Sequence, residues 1–167
     1  MQIHRGASFS GMNVRVVSGS EASKGASLKH GSVVPVARIL VIEDNSADVF
    51  LLGRALNDQD RQFELICLAD GEEALAFIRR EGAYADAAIP NLILMDLNLP
   101  RCDGEDLLRE IRNTKHLAGV PVCAWSSSQS RRDRELLKEL GVVRFITKPS
   151  VFDQFMEIGK ILADLMA

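Results

Sequence analysis

The most constraining feature of this sequence is a short apolar run that stops at an acid: Leu92-Ile93-Leu94-Met95, then Asp96. Preceded by Pro90 and Asn91, the run lacks the alternation of a half-exposed strand and reads as a strand buried on both faces. Such strands belong to parallel sheets covered by helices. Beyond Asp96 the chain is broken by Asn98, Pro100 and Gly104, which mark a loop. Open α/β sheets bind their ligands at the carboxyl ends of the strands, where Asp96 stands. Taken alone, Asp96 is equally a turn-capping residue, so the other strands must decide.

Four more segments repeat the pattern. Ile39–Ile42 is a buried strand that ends in Glu43-Asp44, and Ser46 is placed to cap the following helix, with apolar positions Val49, Leu52, Gly53 and Leu56. Phe63–Ala69 forms a second strand, and Asp70 caps a helix bearing Ala74, Leu75, Phe77 and Ile78. Gly82–Ile89 reads as a surface linker containing Tyr84. After the central strand, Glu105-Asp106 favour the start of a helix that buries Leu107, Leu108 and Ile111. Val120–Trp125 is the fourth strand, ending in Ser126-Ser127-Ser128. The charged helix Arg131–Leu140 has only Leu136, Leu137 and Leu140 to bury and is expected to be the least firmly packed. Val142–Thr147 is the fifth strand, followed by Lys148-Pro149. The last helix repeats apolar residues at Val151, Phe155, Ile158, Leu162 and Leu165, with Phe152 and Met156 beside them, a face wider than one core contact needs.

Five strand-helix units in succession imply right-handed crossovers and helices on both faces of a parallel sheet. The expected fold is α/β, a flavodoxin-like doubly wound five-stranded sheet of order 2-1-3-4-5. Residues 1–36 differ, with seven Ser, five Gly, four basic residues and one acidic one. They read as a disordered leader to a single domain over 37–167, with Met12 a second candidate start. The leader's charge of +3, in a chain of −3, leaves −6 for the domain, which argues against nucleic acid. No apolar run spans a bilayer. The three cysteines (Cys67, Cys102, Cys123) are widely spaced, which fits a reducing cytoplasm; Cys67 and Cys123 read as core residues and Cys102 as a loop residue. His4, His30 and His116 make neither a zinc site nor a hydrolase triad.

Parallel strands point one way, so Glu43, Asp44, Asp96, Ser126 and Lys148 share one edge of the sheet. In the expected order the first and third strands are neighbours, and three carboxylates crowd one pocket. Unpaired they would repel; a hard divalent cation such as Mg²⁺ relieves this and leaves room for a phosphate. Asp96 is then placed to act as a nucleophile on phosphorus, Lys148 to neutralise phosphoryl oxygens and Ser126 to donate a hydroxyl. The plainer readings are a helix-start acid pair at Glu43-Asp44 and a solvated Lys148.

These pieces, Ile-Leu-Val-Ile-Glu43-Asp44, Asp70-Gly71-Glu72-Glu73-Ala74-Leu75, Asp96-Leu-Asn98-Leu-Pro100 with Asp103-Gly104, Pro121 through Ser126-Ser127, and Lys148-Pro149, resemble the receiver domain of two-component response regulators, the family of the chemotaxis protein CheY. The resemblance covers Arg38 to the C-terminus. It implies phosphate acceptance at Asp96, metal binding by Glu43, Asp44, Asp96 and the Asn98 backbone carbonyl, and phosphate contacts from Ser126 and Lys148. It also implies a cis Lys148–Pro149 bond and a switch in which Ser126 moves toward the phosphoryl group while Phe145 swings in behind. Trp125, bulkier than the family's usual aliphatic, reads most simply as a packing residue, with restriction of Phe145 as a second expected role. Loop lengths further resemble single-domain regulators that partner phytochrome-type histidine kinases. A stand-alone cytoplasmic receiver follows, not an enzyme beyond its own phosphorylation and dephosphorylation, dimerising through its last helix and last strand. Two alternatives compete: a haloacid-dehalogenase-like phosphatase, against which Asn98 stands where a second Asp is common, and an interaction module that never carries phosphate.

Overall fold

The computed structural model describes residues 14–18, 36–127 and 131–167. Twelve-residue α1 (Ser46–Asn57) follows strand β2 (Ala37–Ile42), and β3 (Phe63–Leu68) leads into α2 (Gly71–Arg79). Next come β4 (Leu92–Asp96), α3 (Gly104–Asn113), β5 (Val122–Ser126), α4 (Arg131–Glu139), β6 (Val142–Thr147) and α5 (Phe152–Leu165). All pairings are parallel, and β3-β2-β4-β5-β6 reproduces the expected 2-1-3-4-5 order. The boundaries shift by one or two residues: the central strand takes in Asp96, and the fourth runs Val122–Ser126.

The leader departs from expectation. Its segment β1 (Val14–Ser18) adds a sixth, parallel strand beyond β3, pairing Val14 with Phe63 through to Ser18 with Cys67. Val-Arg-Val-Val has β-branched character, and an edge strand needs only one partner. The rest of the leader, and Ser128 at the end of the fourth strand, lie outside the described residues.

Alternate residues of each central strand serve two separate cores, as a sheet covered on both faces requires. Ile39, Val41, Leu92, Leu94, Cys123 and Trp125 pack with α1 and α5. Leu40, Ile42, Ile93, Met95, Val122 and Ala124 pack with α2, α3 and Leu137 of α4. On the first side α5 comes so close to α1 that a Cβ on Gly159 would lie 2.6 Å from the Ala55 carbonyl oxygen.

Helix starts follow capping chemistry. Asn45, not Ser46, caps α1 by accepting from the Ala47 N–H at 3.0 Å, and Ser46 is the first helical residue. Asp70 caps α2 as expected, accepting from the Glu73 N–H at 2.8 Å. Asp103 caps α3 through the Glu105 N–H. Next to it only glycine fits, because a Cβ on Gly104 would lie 2.7 Å from the Leu97 carbonyl oxygen.

The Gly82–Ile89 linker is not simply a surface excursion. Gly82–Tyr84 forms a 3-10 turn and Tyr84 is buried. Its ring packs on Phe77 and its hydroxyl donates to Glu73 Oε1 at 2.6 Å, while Glu73 Oε2 accepts from the Ala69 N–H. An amphipathic tyrosine with a carboxylate in reach is better satisfied inside than out.

Candidate functional site

Register brings the site together. Ile42 pairs with Met95, so the next residues, Glu43 and Asp96, emerge side by side at the carboxyl edge. Asp96 pairs with Trp125, and Ser126 with Thr147, which sets Ser126 and Lys148 against the same edge. Glu43, Asp96 and Ser126 are buried polar residues, while Asp44 is exposed. One carboxylate oxygen from each of Glu43, Asp44 and Asp96 lies within 4.8 Å of the others.

Lys148 ties the cluster together. Its Nζ lies 2.6 Å from Asp96 Oδ2, 2.7 Å from Glu43 Oε2 and 3.3 Å from Asp48 Oδ2. The remaining oxygens turn to backbone: Asp96 Oδ1 accepts from the Asn98 N–H at 2.8 Å, and Glu43 Oε1 from the Asn45 N–H at 3.0 Å. The Asn98 side chain donates to Ser126 Oγ at 3.0 Å, and the Ser126 carbonyl accepts from the Lys148 N–H. Burial pushes the Glu43 carboxyl above its ordinary value, against the opposing pull of Lys148 and the Asn45 N–H. For Lys148 burial pulls downward, but hydrogen bonds to Asp96 and Glu43, with their charges, outweigh it and raise the ammonium above its usual range. The lysine therefore stays charged.

Two expectations fail here. No described peptide bond is cis, so Lys148–Pro149 is trans. The Lys148 N–H donates to the Ser126 carbonyl just beyond the end of β6, and the ammonium reaches Asp96 from there. Nor does Trp125 restrict Phe145. A bulge interrupts β5–β6 after the Val122–Val142 pair: Cys123 is matched to Arg144, and Val143 is the extra residue. Phe145 therefore pairs with Ala124 and leans on the α2–α3 core, whereas Trp125 pairs with Ile146 in the α1–α5 core. A slip of one residue moves a side chain to the other face of a sheet. Trp125 instead sits edge-on to Phe155 of α5 with centroids 6.0 Å apart, and Lys148 Nζ lies 5.7 Å from its ring centroid.

Glu43, Asp44, Asp96, Asn98, Ser126 and Lys148 thus converge, while Phe145 packs against the α2–α3 core and lines a pocket shared with Lys148. Asp48 escaped the sequence reading. Its only signal was its place one helical turn beyond Asp44, where an acid is expected merely to complement the helix dipole.

A doubly wound parallel sheet with a carboxylate cluster and a half-buried lysine at its carboxyl edge defines a signalling receiver. The chain belongs to the response regulator receiver domain family, whose model matches residues 39–159. It is 40% identical over 114 residues to the response regulator Rcp1 of Synechocystis sp., a match spanning 68% of this chain and 78% of that protein. Among solved structures it is similar to the phosphorylated cyanobacterial phytochrome response regulator RcpA, with TM-score 0.73, 38% identity and coverage of 78% of this chain and 93% of that one. The Mn²⁺-bound form of Rcp1 matches with TM-score 0.71 and 34% identity over 77% of this chain and 92% of that one. The protein is a response regulator of two-component signalling that accepts phosphoryl groups from a histidine kinase. Its acidic cluster is of the kind that holds a divalent cation in receivers.

Proposed function

We propose that Asp96 is the phosphoacceptor, with Lys148 and Ser126 as its phosphoryl-binding partners. The observation that carries this is the Lys148 ammonium bridging Asp96 and Glu43 inside the carboxylate cluster. A carboxylate oxygen of Asp96 bonds to phosphorus as the P–N bond of the donor phosphohistidine breaks, and its electron pair returns to the imidazole. Lys148 neutralises charge on the phosphoryl oxygens, and Asn98 holds the Ser126 hydroxyl at the pocket wall. Phosphoryl transfer needs positioning and charge neutralisation more than a base.

The cation we assign is Mg²⁺, held by Glu43, Asp44, Asp96 and the Asn98 backbone carbonyl. The donor set fits, being all oxygen, with its three carboxylates clustered within 4.8 Å and neutralised at present by a lysine. When bound, the cation supplies charge neutralisation for the phosphoryl oxygens. The test is intact mass after incubation with acetyl phosphate and Mg²⁺: wild type gains one phosphoryl group and Asp96→Asn gains none. Equal gain by both would overturn the assignment, and turnover of small phosphoesters would favour a phosphatase.

Ser126 and Phe145 form the proposed switch, passing phosphorylation to the surface of α4, β6 and α5. Unchanged amide exchange on that surface after addition of Mg²⁺ and a phosphoryl mimic would refute it. The donor we assign is a phytochrome-type kinase, on the strength of the relatives, and the compartment is the cytoplasm, consistent with free Cys67, Cys102 and Cys123. Residues 37–167 are assigned as the receiver, with β1 as an addition from the leader. Homodimerisation through β6 and α5 is supported by exposed Val143, Val151, Phe152 and Leu165, and by a groove of about 650 Å³ whose lining includes Arg144, Gln154, Glu157 and Ile161. Light scattering of the phosphorylated and free protein tests it.

A further inference from the structure

An ammonium has three N–H donors, and three carboxylates surround that of Lys148: Asp96 at 2.6 Å, Glu43 at 2.7 Å and Asp48 at 3.3 Å. Two of these belong to the cluster that fits a cation. Asp48 does not, since the group within 4.8 Å comprises Glu43, Asp44 and Asp96. Nor is Asp48 needed to cap α1, a role filled by Asn45. Its side chain is only 18% exposed, so its charge acts on Lys148 with little screening.

We propose that Asp48 competes with the incoming phosphoryl group for Lys148, making it a positioning residue that sets how strongly the site draws a phosphodonor. It rests on Asp96 and Lys148 having the roles assigned above. A phosphoryl oxygen that bonds Lys148 must take a donor now directed at a carboxylate. Glu43 and Asp96 would be the groups that hold a cation, whereas Asp48, outside that cluster, would remain the rival acceptor on α1. Its negative charge also opposes the approach of an anion. Replacing it by Asn keeps the shape and an acceptor oxygen but removes the charge.

The experiment measures initial phosphorylation by acetyl phosphate at saturating Mg²⁺, followed by intact mass. For Asp48→Asn the donor KM is expected to fall on the order of 3–10-fold, with the maximal rate within about twofold of wild type. Calorimetry without a donor should show weaker Mg²⁺ binding, because Lys148 then bears harder on Glu43 and Asp96. Asp48→Glu should restore wild-type behaviour, and Asp48→Ser should repeat the Asn result. Asp58→Asn, which removes an exposed charge at the other end of α1, should match wild type. An unchanged or raised KM in Asp48→Asn, or an equal shift in Asp58→Asn, overturns the proposal. Phosphorylation of Asp96→Asn would instead remove the assignment beneath it, so the two failures are distinguishable.

Discussion

The two sides of the sheet are built differently. On the α1–α5 side the helices meet at backbone distance across Gly159 and Ala55, and Trp125, Phe155, Ile158 and Leu162 fill the space. Arg61 reaches the Met166 carbonyl at 2.7 Å and fastens the end of that layer. At the α4–β6 corner, Leu137 is the buried side chain among those described in α4, and five of the six residues of β6, all but Ile146, are at most partly covered. That corner is held by Arg112, whose guanidinium donates to the carbonyls of Ala118, Val120, Leu140 and Gly141. The first side is a packed chassis; on the second, the α4–β6 corner is pinned by hydrogen bonds beside the α2–α3 core. In the proposed switch, α4 and β6 are the elements expected to move, and α5 the one expected to present its outward side.

The sharpest challenge to this contrast is a pair of substitutions within α5. Phe155→Ala should cost about 3–5 kcal/mol of unfolding free energy and Phe152→Ala less than about 1, because only the first is buried. Similar losses in denaturant titrations would erase the distinction between the inner and outer faces. Next, Gly159→Ala should destabilise by about 1–3 kcal/mol through overpacking, against the gain of about 1 kcal/mol that alanine normally brings to a helix interior. A stabilised variant would mean that α1 and α5 are not in close contact.

Arg112→Met should cost about 1–2 kcal/mol. More tellingly, it should speed amide exchange across 140–147 while leaving β2 and α5 unchanged; a uniform change would show that the corner is not a separate unit. The smallest expected effect is chemical. Burial pushes the Cys67 and Cys123 thiols up to about 12, so at pH 8 both lie well below their pKa and remain protonated. Raising the pH toward 12 increases their thiolate fraction and hence their reactivity. Cys102 is also raised, but less enclosed, and should alkylate first in native protein, as peptide mapping would report.

Much of this was legible in the sequence because strands buried on both faces advertise where they end. Leu92–Met95 stopping at Asp96, and Ile39–Ile42 stopping at Glu43, place acids at one sheet edge almost without further information. The bulge at Val143 was not legible, since Val142-Val143 reads the same in either register, and only the register shows Phe145 and Trp125 on opposite faces. Asp48 was hidden because an acid in a first helical turn already has an ordinary explanation. Asn45 and Ser46 are both good caps, so only geometry chooses between them. Tyr84 was misplaced because its partner Glu73 lies eleven residues away, beyond what local pattern conveys.

Trp125 carries one last consequence. It is the chain's sole tryptophan, enclosed in the core, with the Lys148 charge near its ring on one side and Phe155 on the other. The domain thus contains its own fluorophore at the junction of reactive pocket and chassis. Withdrawal of the lysine is expected to alter indole emission, which would let the proposed cation loading and phosphorylation be followed in unlabelled protein.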